Sequence, residues 1–113
     1  MRLPLVTAIV AAGLLLSAVA CGGADQPDVP VATTQVSMPP SYRFDPRTLE
    51  VDAGTVVTWT NDDHFTHTVE VEGMPDREVG KGETVSIAFP SPGTYHYVCT
   101  LHPHDMQGEV VVR

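Results

Sequence analysis

Basic side chains are scarce in this chain: six Lys and Arg stand against 14 Asp and Glu over 113 residues, a net charge of −8. A surface so short of positive charge cannot neutralise a phosphate backbone, which excludes nucleic acid as a partner. Length is limiting too, because 113 residues make at most one small domain. Helix formers are few: past residue 20 there are two leucines and four alanines beside fourteen valines. That balance favours strands, and no window carries an amphipathic 3.6-residue period of useful length. There is no internal repeat and no low-complexity tract. No long loop or second layer is available to wall a substrate cleft, so an enzyme is not expected. Cysteine is limited to Cys21 and Cys99.

Charge is rarest at the N-terminus. Fifteen of the first twenty residues are apolar, and Arg2 is the only charged one. A short positive start, an apolar run from Leu3 to Ala20 and the small residues Ala18-Val19-Ala20 form the pattern of a secretory signal. The ending resembles the lipobox of bacterial lipoproteins, in which the cysteine, here Cys21, is lipidated and becomes the first residue. Two other readings are an uncleaved anchor helix, since the run just suffices to span a bilayer, and ordinary cleavage with free export. All three put the domain outside the cytoplasm. Past residue 20 the chain keeps 33 apolar residues of 93, enough for one small core, and 5 basic residues against 14 acidic. Residues 21–40 read as a flexible tether, with Gly22, Gly23, Pro27, Pro30, Pro39 and Pro40 and no large apolar cluster. A first strand can begin near Thr33 to Met38.

The domain, residues 41–113, reads as all-β. Short alternating runs cover 49–51, 55–60, 66–71, 83–89, 94–98 and 109–113. Asp52-Ala53-Gly54, Gly80-Lys81-Gly82 and Ser91-Pro92-Gly93 are turn signals between them. Short strands at such spacing imply a sandwich or barrel. Val57, Trp59, Val69, Val71, Val85, Ile87, Phe89, Tyr95, Val110 and Val112 are the candidate core.

One constellation carries chemistry. Cys99-Thr100-Leu101-His102-Pro103-His104-Asp105-Met106 places a thiol, an imidazole and a thioether within eight residues, between one strand ending at Val98 and another starting near Gly108. A thiolate, a nitrogen donor and a weak sulfur on one tight loop suit copper. A further donor comes from His67, which opens an earlier strand. Two nitrogens and a strong sulfur with a long axial methionine are the blue-copper, electron-transfer arrangement. His104, inside the loop, competes with Met106 for the axial place. His64 is expected in an exposed loop with Asp62 and Asp63, His96 on the surface, and Met38 and Met74 in packing. A disulfide between Cys21 and Cys99 is disfavoured, because Cys21 serves the signal and sits on the tether.

Three stretches together resemble the cupredoxins, in particular the plastocyanin, amicyanin and pseudoazurin group. They are Phe44 to Val51 with Gly54 and Val57-Thr58-Trp59-Thr60-Asn61, then His67-Thr68-Val69, then Pro92 to Cys99 through Gly108 to Val112. The resemblance implies an eight-stranded Greek-key β-sandwich with one copper ion, cycling between Cu(I) and Cu(II), held by His67, Cys99, His102 and Met106. It implies a one-electron carrier with no open position for a substrate. Val98 and Thr100 flank Cys99 where multicopper oxidases place histidines leading to a trinuclear centre. The ligand loop is C-x2-H-x3-M, between the family's x2 and x4 spacings. Thr68 stands where plastocyanin-like proteins often carry Asn, and is expected to hydrogen-bond near Thr100. The family docks partners around the C-terminal histidine, here His102, with Leu101, Pro103 and Phe65 about it. The expected partner is a redox protein, a cytochrome or membrane oxidoreductase, met by a monomer held to the membrane through its lipid. A tethered copper buffer or copper donor is the alternative function.

Overall fold

The computed structural model describes Arg2 and residues 28–113. The rest of the signal segment, Cys21 with its lipidation, and most of the expected tether lie outside the described residues. Nine strands and no helix form among the described residues: β1 Val31–Ala32, β2 Gln35–Met38, β3 Thr48–Val51, β4 Thr55–Asn61, β5 His67–Val71, β6 Arg77–Val79, β7 Thr84–Phe89, β8 Gly93–Val98 and β9 Gln107–Val112. One sheet runs β1-β3-β9-β8-β5-β6 and the other β2-β4-β7. β1 with β3, β2 with β4 and β3 with β9 pair parallel; the remaining pairs are antiparallel. The non-consecutive neighbours are Greek-key crossovers between two facing sheets.

The period of two builds the core. In β4 Val57, Trp59 and Asn61 turn inward while Thr58 and Thr60 between them stay partly exposed. In β9 Gly108, Val110 and Val112 do the same. Trp59 and Tyr97 meet edge-on at 5.2 Å between centroids, and Phe44 meets Tyr97 at 4.8 Å. Each large apolar side chain so buried contributes about 1.5–3 kcal/mol over its exposed state. Eight of the ten expected core residues are buried; Val85 and Tyr95 are only partly so and pack on the rim. Val36, Met38, Phe44, Leu49, Val51, Val79, Tyr97, Cys99 and Met106 complete the buried apolar set among the described residues.

Two expectations shift. Nine strands form rather than eight. The strands that no run announced are short: β1 has two residues and β6 three, two of them exposed, too few for a pattern to show. The tether expected over 21–40 gives up residues 31–38 to the sandwich, where Gln35–Met38 is the first strand expected near Thr33 to Met38 and Val31–Ala32 adds another. β2 pairs parallel with β4, and Val36 and Met38 are buried beneath it. The Asp28 carboxylate meets the Arg47 guanidinium just ahead of β1.

Candidate metal centre

Strand register brings the expected donors to one pole. Glu70 pairs with Val98 across β5 and β8; carried on by two residues, that register sets Thr68 opposite Thr100 and its neighbour Cys99. Val98 pairs with Gln107 across β8 and β9, and the next rung is made by Cys99 N–H donating to the Met106 carbonyl at 3.0 Å. Between these rungs the loop folds into tight turns. His102 N–H donates to the Cys99 carbonyl at 3.1 Å and Met106 N–H to the His102 carbonyl at 3.0 Å. Cys99 and Met106 are fully buried, and His102 is half-buried.

His67 Nδ1 lies 3.9 Å from Cys99 Sγ, and His102 Nδ1 lies 3.8 Å from it. One ligand atom from each of the three residues falls within 4.8 Å of the others. The geometry thus gathers His67, Cys99 and His102. Met106 is buried beside Cys99 through the backbone pairing. His104, His64 and His96 are exposed.

Two of the donors, His67 and Cys99, have hydrogen-bond partners of their own. Asp63 Oδ2 lies 2.9 Å from His67 Nε2, with both side chains buried. The hydrogen bond from His67 holds the Asp63 carboxyl below its ordinary range; desolvation opposes this, and the backbone N–H of His64 assists. An ionised carboxylate only accepts, so Nε2 carries a proton, which leaves Nδ1 as the nitrogen that faces the sulfur. Asp63 thus departs from the exposed loop expected for it, unlike its neighbours Asp62 and His64. Asn61 fixes that loop: its Nδ2 donates to the carbonyls of Phe65 at 2.8 Å and Val79 at 2.9 Å, and its Oδ1 accepts from Asp63 N–H at 2.9 Å. Asp63 and Asn61 escaped sequence reasoning as functional residues. Their only signal was an acid four residues ahead of a ligand, inside a turn-rich stretch.

The sulfur has its own setting. Thr68 N–H donates to Cys99 Sγ at 3.3 Å. Thr68 Oγ1 accepts from Thr100 N–H at 2.7 Å and lies 2.8 Å from Thr100 Oγ1, the expected tie between the two ligand loops. Tyr42, another residue missed, covers the histidines from an upstream turn. Its ring is 4.4 Å from that of His102 and 6.1 Å from that of His67, and stacks with Phe65 at 6.2 Å. Tyr42 has φ of +52° and follows Ser41 at +88°, a backbone conformation uncommon for non-glycine residues. With Phe65 and Leu101, each more than half exposed, it makes an apolar collar around His102.

The donor set fits copper. A buried thiol with two imidazole nitrogens is the soft, mixed sulfur and nitrogen environment that binds it. Deprotonation of the thiol and release of the two Nδ1 lone pairs are what such binding needs.

A family model described as a cupredoxin-like domain matches residues 5–112. Amicyanin-alpha of Methylorubrum extorquens is 33% identical over 120 residues, spanning 99% of each chain. Halocyanin of Natronomonas pharaonis is 37% identical over 79 residues, 63% of this chain and 48% of its own length. Among solved structures, a purple cupredoxin from Nitrosopumilus maritimus covers 70% of this chain and 98% of its own with a TM-score of 0.63 and 29% identity. A reduced amicyanin variant covers 70% of this chain and 80% of its own with a TM-score of 0.65 and 31% identity.

Proposed function

The chain belongs to the cupredoxin-like family, and from that premise we propose that it is a type 1 copper protein carrying one electron at a time between protein partners. The observation that carries this reading is the convergence of Cys99 Sγ with the Nδ1 atoms of His67 and His102 at one buried pole. It is a carrier and not an enzyme.

Copper bound there supplies one-electron exchange between its cuprous and cupric states. The chain's own residues do the rest. Cys99, His67 and His102 would supply the strong donors, and Met106, buried next to Cys99, would supply the weak sulfur. Asp63 keeps the His67 proton on Nε2. Thr68 N–H supports the sulfur. The β8–β9 hairpin and the Asn61-tied loop hold the donors rigidly, so little rearrangement accompanies a change of charge. His102 is the one strong donor that is not fully buried, and a docked partner comes nearest to the site there, over the collar of Tyr42, Phe65 and Leu101.

The setting follows from the sequence. Residues 1–20 act as an export leader, and Cys21 carries the lipid that holds the domain outside the cytoplasm. Residues 41–113, extended upstream by β1 and β2, form the copper domain. A redox protein with a basic docking face, a cytochrome or membrane oxidoreductase, is the partner that the acidic surface favours.

Metal analysis and a visible spectrum of the purified chain test the reading. One copper per chain, an intense thiolate-to-copper band and a reversible one-electron wave are expected, all lost in Cys99→Ser. Bound Cu(I) that passes readily to chelators, with no band and no reversible wave, would instead identify a copper donor. Mass analysis of the membrane fraction should find an acylated N-terminal cysteine.

A further inference from the structure

The hydroxyl that ties the two ligand loops lies within reach of two acceptors. Thr68 Oγ1 is 2.8 Å from Thr100 Oγ1 and 3.8 Å from Cys99 Sγ. It has one proton to give, and it already accepts from Thr100 N–H. Thr100 Oγ1 likewise has one proton, and it lies 2.8 Å from Asp76 Oδ2. A carboxylate takes protons and gives none, so the Thr100 hydroxyl is committed to Asp76. Thr100 Oγ1 can then only accept from Thr68, and the Thr68 proton is turned away from the sulfur.

We infer that Asp76, acting through Thr100, sets the direction of this hydrogen-bond chain and leaves the Cys99 sulfur with the backbone N–H of Thr68 as its one short donor among the described residues. Asp76 is a positioning residue on the turn ahead of β6, and it touches none of the donors. The inference rests on the copper reading above and deepens it by naming a control on the sulfur's electron density. A second donor to a copper thiolate stabilises charge on sulfur and weakens its donation to the metal; the potential of such sites is tuned by hydrogen bonding around the cysteine sulfur. By withholding that donor, the Asp76–Thr100–Thr68 chain keeps the potential low. It depends on a threonine at position 68, where a hydroxyl has a proton to turn.

The test compares reduction potential and the thiolate-to-copper band across a small set of variants of the copper-loaded chain. Thr100→Val changes no charge and leaves the Thr68 hydroxyl no acceptor but the sulfur. It should raise the potential and move the band to shorter wavelength, while Thr100→Ser should match the unaltered protein. Asp76→Ala should shift both in the same direction. In a Thr68→Val background the Thr100→Val shift should vanish, and Asp76→Ala should keep only the smaller part due to its lost charge. An unaltered potential in Thr100→Val, or a shift of full size in the Thr68→Val background, overturns the inference. Failure of the copper reading is separate: the unaltered chain would then show no band. Proton NMR of the metal-free chain still decides the direction of the chain of hydroxyls. A slowly exchanging Thr68 hydroxyl proton in contact with Thr100 supports it, and a Thr68 hydroxyl proton directed at Cys99 refutes it.

Discussion

Asp63 shows how much of a donor's competence belongs to the residue behind it. The ring of His67 has two nitrogens, and without a fixed proton either could face the sulfur. The buried carboxylate removes that freedom by accepting from Nε2. Loss of such a partner costs about 10–100-fold in metal affinity. Asp63→Ala should therefore weaken Cu(I) binding by about that factor, read by competition with a chelator of known affinity, while far-ultraviolet dichroism stays that of a β-sandwich. The thioether proposed as the weak donor makes a second prediction. Met106→Gln puts a harder oxygen donor there, which favours the cupric state, so the potential should fall and the colour change with copper still bound. His104→Ala, at an exposed position, should leave the spectrum as it was. Cys99 and His102, which the structure brings together with His67, were legible because a thiol and an imidazole in one short loop with a thioether are chemically unusual together. Asp63 was not legible, because acids in turn-rich stretches are ordinarily solvated. Tyr42 was not either, because its place over His102 comes from a chain reversal that sets no periodic pattern.

At the level of elements, the β8–β9 hairpin does the positioning, and one residue shows how tightly it is built. Tyr97 crosses β9 to donate its hydroxyl to the Arg47 carbonyl at 2.7 Å. It passes directly over Gly108, where an added methyl would collide with both the Tyr97 ring and that carbonyl. Burial also pushes the Tyr97 phenol well above its ordinary pKa, so it stays a donor throughout the physiological range. Gly108→Ala should cost about 1–3 kcal/mol through overpacking. That corresponds to a fall in melting temperature of about 4–8 °C per kcal/mol for a domain of this size, read by thermal unfolding. The main strands were legible from alternation and from glycine and proline punctuation. The expected runs 55–60, 83–89 and 94–98 match β4, β7 and β8 to within one residue at each end. β2 was only half legible. Val36 and Met38 alternate correctly, but their partner is a parallel strand reached by a crossover, and prolines on both sides gave the segment the composition of a tether.

For the molecule as a whole, the question is how a partner finds the one half-buried histidine. Net charge of −8 gives a long-range attraction for basic partners, whereas the collar of Tyr42, Phe65 and Leu101 works only at contact. The two differ in their response to salt. The screening length falls from about 30 Å at ~0.01 M to about 8 Å at ~0.15 M, which weakens steering and leaves apolar contact untouched. The second-order rate of electron exchange with a small cationic redox protein should therefore fall roughly tenfold or more over that range, and the rate with an anionic one should rise. Leu101→Glu should slow exchange with both at every ionic strength, since it breaks the contact surface and places a charge beside His102. Stopped-flow measurement against the two partners separates these cases. If salt acts alike on both partners, the acidity serves solubility alone; if Leu101→Glu acts only at low salt, the collar is not where partners touch.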